Sequence, residues 1–265
     1  MKEKIKKGFL WLDRSFHLEH LWPFLIYSII YMIWFHILEV VPRHKYLTII
    51  VPLDRKIPFL ECFVVPYLSW FGYIFIGTIL LYYKDRDMYD RLITSMMIVE
   101  TLFLLISTFL PNRQPLRLLE MPRDNVFTHL VAYVWKSDSP TNVFPSLHVF
   151  NAIAMTIALV RSRWKFTGKK WADRFIIVWC VLICLATVFI KQHSVCDGIA
   201  SCLLIIWSWF YVERRGHVFR FTEWDKKLVD EEEKIFGKRT DDSFLLGKWH
   251  KKMDGTGLEP ATPHT

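Results

Sequence analysis

Three polar clusters interrupt an otherwise apolar sequence. The segment "KQHSVCD" brings a cation, an imidazole and a carboxylate together, "FPSLH" ends at His148, and "PNRQPLRL" contains two arginines. An imidazole becomes an effective nucleophile when a carboxylate holds its other ring nitrogen. Asp197 follows His193 by four residues, which places both side chains on one face of a helix. This spacing therefore predicts a nucleophilic histidine with an orienting aspartate.

The remaining polar residues of these clusters supply what cleavage of a phosphoester requires. An anionic phosphate needs guanidinium or ammonium partners, and Arg113, Arg117 and Lys191 are candidates. Ser146 lies at the expected start of a helix, where backbone amides favour anions. His148 is suited to protonate the leaving alkoxide, since its ordinary pKa is near neutrality. A polar residue at a helix end is often only solvated, but three clusters with complementary roles favour one shared site.

The chain around these clusters has the composition of a membrane protein. It has 265 residues, of which 52% are hydrophobic, with 12 Trp, 21 Phe and 10 Tyr. A membrane-spanning helix needs about 20 apolar residues, and its backbone satisfies its own hydrogen bonds. We therefore predict an all-α fold, a bundle of six transmembrane helices. The predicted spans are Leu21 to Val41, Cys62 to Tyr83, Leu92 to Leu110, Val143 to Val160, Phe175 to Ile190 and Val195 to Val212.

Basic residues predict the orientation of these spans. They are concentrated before the first span and in the links from the second to the third and from the fourth to the fifth. Since such residues favour the cytoplasmic side, both termini are expected there and the three polar clusters on the outer face of the cell membrane. The net charge of +8 is explained by these segments and by attraction to anionic lipid. No binding of nucleic acid is expected.

This pattern divides the chain into three predicted parts. Residues 1–20 have apolar side chains at helical spacing and are predicted to form an interfacial amphipathic segment. Residues 21–212 are predicted to form the six-span catalytic domain. Residues 213–265 are predicted to form a short, soluble, charged cytoplasmic tail that is partly disordered.

Other polar residues receive structural interpretations. The five cysteines lie in or beside predicted spans, without the spacing of a disulfide framework or a metal site. No cofactor is expected, and a metal held by His148, His193 and Asp197 is the less favoured alternative. Glu100, near the middle of the third span, is interpreted as a structural hydrogen-bond partner in preference to a substrate contact. His129 is interpreted as an interfacial residue.

The clusters resemble the motifs of the type 2 phosphatidic acid phosphatase family, whose signature is K-x6-R-P, then P-S-G-H, then S-R-x5-H-x3-D. "FPSLH" resembles the second motif, "HSVCD" the third, and "LRL" at residues 116–118 the end of the first. The resemblance implies six transmembrane helices and catalysis without metal. It also implies that His193 forms a phosphohistidine, Asp197 orients it and His148 is the acid. Arg117 and Ser146 would bind phosphate.

The chain departs from this signature at several positions. In the first motif, Leu110 stands in place of the lysine and Leu118 in place of the proline after the arginine. Leu147 stands in place of the second-motif glycine. In the third motif, Ala186 and Thr187 stand in place of the serine and arginine. Lys191 and Arg113 are inferred to restore the missing charge. Because related branches with a non-glycine second motif include head-group transferases that make sphingolipids, the substrate class stays open.

The expected function is an integral membrane phosphatase. It would hydrolyse a lipid phosphate or pyrophosphate through a phosphohistidine at the outer face, with the lipid tail remaining in the bilayer. One alternative is a transferase that uses a lipid hydroxyl as acceptor. Another is a transporter or a non-catalytic binding protein, which is disfavoured because repeated halves are not visible and both histidines are retained.

Overall fold

The computed structural model describes residues 21–41, 43–162, 170–215 and 234–235, and this part of the chain is mostly helical. Its named helices are α1 (Trp22–Val40), α2 (Pro52–Lys56), α3 (Val64–Lys84), α4 (Arg86–Phe109), α5 (Val126–Ser137), α6 (Leu147–Arg161), α7 (Lys170–Phe189) and α8 (Val195–Arg215). The predicted interfacial segment 1–20 and most of the predicted tail 213–265 lie outside the described residues. The described residues between 26 and 215 belong to one compact unit.

Apolar helices occur in all six segments predicted to span a membrane. Within the described residues, four stretches are long and apolar enough to cross one: Glu61–Lys84, Arg86–Phe109, Lys170–Phe189 and Val195–Arg214. Two shorter apolar helices are Phe24–Val40 and Leu147–Arg161. The fourth predicted span begins at Val143, but its helix starts only at Leu147, because Pro145 and Ser146 precede the first helical turn. The all-α membrane fold is thus confirmed.

Helix α6 is the centre of the bundle and contacts α3, α4, α7 and α8. Its alanines 152, 154 and 158 are completely buried, as are Phe150 and Met155. Small side chains let neighbouring helix backbones approach closely. The outer helices instead expose large apolar side chains, such as Phe75 on α3 and Ile206 on α8. This distribution suits a bundle whose surroundings are apolar.

Two short strands join distant loops at one end of the bundle. Strand β1 (Leu47–Thr48) follows α1, strand β2 (Asn112–Arg113) follows α4, and the two pair in parallel. The Leu47 amide donates to the carbonyl of Pro111 at 2.8 Å. This pairing fixes the segment 111–118 near the start of α6 and the turn before α8, where the polar clusters lie.

Candidate active site

The three polar clusters meet through two buried amide side chains. The Oδ1 atom of Asn112 accepts hydrogen bonds from the backbone amides of residues 143 and 144, at 2.8 and 2.9 Å. The Nε2 atom of Gln114 donates to the carbonyls of residues 191 and 192, at 2.9 and 3.0 Å. The segment 111–118 therefore holds both "FPSLH" and "KQHSVCD" in place.

His193 lies directly before α8 and contacts a carboxylate on its first turn. Its Nδ1 atom is 3.3 Å from Oδ2 of Asp197, a residue that is completely buried. The same oxygen accepts a hydrogen bond from the Ser194 amide at 2.9 Å. The positive end of the helix dipole also favours a carboxylate here. Asp197 thus engages one ring nitrogen of His193 and leaves the other for a substrate.

His148 lies in the first turn of α6 and faces the same cavity as His193. The two imidazole ring centres are 5.8 Å apart. Tyr67 and Trp70 of α3 pack against His148, with ring centres at 4.7 and 4.4 Å. The buried Nε2 atom of His148 has no hydrogen-bond partner among the described residues. This nitrogen is therefore available to a ligand.

The cavity has a volume of about 580 Å³ and is largely aromatic. Its aromatic lining includes Tyr31, Phe35, Tyr67, Trp70, Phe71 and Phe103. Polar groups besides the two histidines include Glu100, Asp138, Asn142 and Asn151. Within the described part of the chain, no lysine or arginine lines it. The cavity therefore combines two imidazoles with a cation-free, mostly apolar wall.

Arg117 lies beside this cavity and supports the surrounding loops. Its terminal nitrogens donate to the carbonyls of Trp135 and Asp138, at 2.6 and 2.5 Å, and to Oε1 of Gln192 at 2.8 Å. Burial lowers the pKa of Arg117, and the nearby Asp138 carboxylate opposes that shift. Its buried Nε atom has no partner among the described residues. Arg117, which was predicted to bind phosphate, is thus mostly hydrogen-bonded to protein groups.

The other predicted phosphate-binding residues also lie outside the cavity lining. Lys191 is buried, and its Nζ atom donates to the carbonyls of Asp54 and Ile57, at 2.9 and 2.6 Å. Burial lowers the pKa of Lys191, an effect opposed by Asp54. Arg113 is exposed on strand β2. The completely buried Ser146 caps α6 by accepting a hydrogen bond from the Val149 amide at 3.4 Å.

Asp54 of α2 is a site-forming residue that the sequence did not single out. It is buried, its Oδ2 accepts a hydrogen bond from the Ser194 hydroxyl at 2.5 Å, and its Oδ1 accepts one from the Val195 amide at 2.8 Å. It therefore fixes the first turn of α8 next to His193, the predicted nucleophile. The signal in the sequence is an acidic residue in an apolar loop. Arg55 and Lys56, which follow it, suggest a solvated loop instead.

A second missed group joins the turn before α8 to the end of α5. Gln192 donates from Nε2 to Oδ2 of Asp138 at 3.0 Å, and the Tyr67 hydroxyl donates to the same oxygen at 3.5 Å. Burial raises the pKa of Asp138, while His193 and Arg117 oppose the rise. Asp138 thus places a carboxylate in the cavity wall, close to His193 and to Arg117.

Comparison with family models places the chain in a known superfamily. The model of the PAP2 superfamily matches residues 52–211, which is more than half of the chain and includes His148, His193 and Asp197. The chain belongs to the PAP2 superfamily. This confirms the resemblance to the type 2 phosphatidic acid phosphatases, and PAP2 membership supports a phosphatase or phosphotransferase type of function. No curated protein and no solved structure shows significant similarity to the chain.

Proposed function

We propose that this PAP2 protein is an integral membrane enzyme that hydrolyses a lipid phosphate or pyrophosphate through a phosphohistidine on His193. The observation that carries the proposal is the pair of imidazoles in one cavity, with ring centres 5.8 Å apart and His193 in contact with the buried Asp197. His148 and Asp197 lie on helices α6 and α8, and His193 lies just before α8. The arrangement supports attack from one histidine and proton transfer by the other.

The proposed reaction has two displacement steps. Nε2 of His193 attacks the phosphorus atom and the bond from phosphorus to the lipid oxygen breaks, while His148 gives a proton to the leaving alkoxide. His148 then removes a proton from water, which attacks the phosphohistidine and releases inorganic phosphate. Asp197 stabilises the positive charge on the His193 imidazole while its ring is phosphorylated. These steps require no metal ion or cofactor.

Phosphate binding is proposed to involve Arg117 through its unpartnered Nε atom. Arg113, Lys191 and Ser146 were predicted to bind phosphate as well. The contacts of Lys191 and Ser146 favour a supporting role, because each fixes the backbone next to a predicted catalytic histidine. We further propose that α1 and α6 complete six spans, that both termini are cytoplasmic and that the site opens to the outer face.

The test of this function is the replacement of His193 by asparagine in the purified full chain. Wild-type protein should release phosphate from at least one lipid in a panel of lipid phosphates, and acid-labile phosphate should be trapped on the protein. His193→Asn should lose both signals, and His148→Asn should slow turnover by about 100-fold to 10,000-fold.

His129→Asn is the matched control, since this exposed histidine pairs with Asp124 away from the cavity. It should retain wild-type rates. Release of phosphate by the His193→Asn protein at the wild-type rate would contradict the assignment of the nucleophile.

A head-group transferase is the second candidate function. Leu147 replaces the motif glycine, lines the cavity and packs near Leu38 and Phe103. The apolar wall that results would suit a lipid hydroxyl in the place of water. Purified protein incubated with a lipid labelled in its phosphate should yield free phosphate if it is a hydrolase. A new labelled phospholipid would identify it as a transferase.

A further inference from the structure

One part of the cavity contains a carboxylate at some distance from the catalytic histidines. Glu100 of α4 and Asn151 of α6 both line this part. Asn151 follows His148 by three residues, so it lies on the same face of α6 and about one helical turn further into the bundle. A molecule with its phosphorus atom at His193 would therefore have room for a second polar group near Glu100.

Asn151 and Glu100 form a hydrogen bond that leaves one buried acceptor of Asn151 unpaired within the described residues. The Nδ2 atom of Asn151 donates to Oε1 of Glu100 at 3.2 Å. Asn151 is only 4% exposed, and its Oδ1 atom has no partner among the described residues. Within the described residues, Glu100 has Asn151 as its hydrogen-bond partner. A partly buried carboxylate beside an unpaired amide oxygen is costly unless a hydrogen-bond donor joins them, and a cationic donor would also neutralise the carboxylate.

Aromatic rings surround the same part of the cavity. Tyr31 stacks on Phe35 with ring centres 5.9 Å apart, and Phe35 lies 6.1 Å from Phe103. All three rings line the cavity. Phe103 follows Glu100 by three residues and so shares its helix face. Aromatic faces attract cations, and this attraction increases where water is excluded.

We propose that this part of the cavity binds the ammonium group of a phospholipid head group, with Glu100 as its counter-ion. The proposal rests on the covalent step of the proposed function, applied here to a phosphodiester. His193 attacks the phosphorus atom, the lipid oxygen leaves with a proton from His148, and the phosphate stays on His193 with its head group until water or a lipid hydroxyl receives it. In an ethanolamine phosphate the phosphorus and nitrogen atoms are about 5 Å apart, which is close to the rise of about 4.5 Å between residues three apart on a helix, such as His148 and Asn151. A primary ammonium also offers a donor to Oδ1 of Asn151 and further donors to the Glu100 carboxylate.

Binding to the full-length His193→Asn protein tests the proposal without turnover. Dissociation constants in detergent are measured by native mass spectrometry for lipids with identical acyl chains and ethanolamine, choline or glycerol head groups. The ethanolamine lipid should bind at least about tenfold more tightly than the glycerol lipid. Glu100→Gln should remove this preference, and Phe103→Leu should weaken it. Comparable binding of the choline lipid would support the ammonium site with the aromatic rings as its main contacts.

Glu213→Gln is the control, because it removes a carboxylate that pairs with Arg161 and does not line the cavity. It should keep the preference of the parent protein. Equal affinities for the three lipids, tighter binding of the glycerol lipid, or a preference that survives Glu100→Gln would overturn the proposal. Because no turnover is measured, these outcomes are independent of whether His193 is the nucleophile.

Discussion

At the scale of single residues, the position of His193 depends on side chains that are distant in sequence. Ser194 contacts Asp54, which lies 140 residues earlier, at 2.5 Å. Gln114 accepts the Leu116 amide on its Oε1 atom while it donates to the two carbonyls before His193. Buried polar groups that are fully paired in this way specify one arrangement of the backbone. The imidazole is therefore oriented by its loop as well as by Asp197.

Replacing Asp54 by asparagine tests this dependence. The amide would place a donor opposite the Ser194 hydroxyl or the Val195 amide and leave a buried group unpaired, so we expect a loss of about 1 to 3 kcal/mol in stability. Displacement of His193 should reduce kcat by about 100-fold, with a smaller change in KM. Thermal unfolding and steady-state kinetics on the purified protein measure both effects.

Asp124→Asn serves as the comparison, since the Asp124 side chain is 90% exposed and lies on another loop. It should change neither the melting temperature nor kcat. If Asp54→Asn turned over substrate as fast as Asp124→Asn, the carboxylate would have no part in positioning the nucleophile.

The sequence identifies the predicted catalytic residues better than their supports. His148, His193 and Asp197 stand out because their spacing has a chemical meaning that is independent of the fold. Asp54 and Gln114 act through contacts across the bundle, which leave no periodic signal in the sequence. The direction of a long side chain is equally hidden. The sequence suggested that Lys191 binds phosphate, whereas its Nζ atom donates to the carbonyls of Asp54 in α2 and of Ile57 directly after it.

At the scale of helices, the packing of α3 against α6 fixes the aromatic rings over His148. Trp70 donates from Nε1 to the His148 carbonyl at 3.1 Å. Further along the same interface, Gly77 lies against Met155, and a methyl group on Gly77 would come within 2.4 Å of the Met155 sulfur. Gly72 on the same helix has nothing within 4 Å of that position. A side chain at position 77 would therefore collide with Met155, whereas one at position 72 would meet open space.

Alanine at each position gives opposite expected outcomes. Gly77→Ala should lower stability by about 1 to 3 kcal/mol, because Met155 must move in a packed interface. Gly72→Ala should raise it by up to about 1 kcal/mol through helix propensity. Melting temperatures of the two variants measure the difference, and the loss in the double variant Gly77→Ala/Met155→Ala should be smaller than the sum of the two single losses. Equal melting temperatures would contradict the described contact between α3 and α6.

Helix existence was predictable here, but helix limits were not. Long apolar runs require helices in a membrane, so all six predicted segments contain one. The starting point of α6 depends on the local capping of Ser146 and on Pro145, which hydropathy does not register. The contact of α5 with α3 is likewise a tertiary feature that hydropathy does not register.

At the scale of the whole molecule, the polar site lies at the end of the bundle formed by the loops after α1, α4 and α7. The distribution of basic residues predicts that this end faces outward. A cysteine-free variant with Glu120→Cys should react with a membrane-impermeant maleimide on intact cells. A cysteine-free variant with Asp87→Cys instead, in the first turn of α4 at the opposite end of that helix, should react only after permeabilisation. The reverse labelling pattern would place the site on the cytoplasmic side.

The bond between Asp54 and the start of α8 also has a consequence for biosynthesis. A chain emerges from the ribosome with its amino-terminal part first, so Asp54 is made long before the Ser194 hydroxyl and Val195 amide that it binds. Until α8 is made, the carboxylate lacks these two donors. A nascent chain therefore cannot assemble this part of the site before synthesis has passed residue 195.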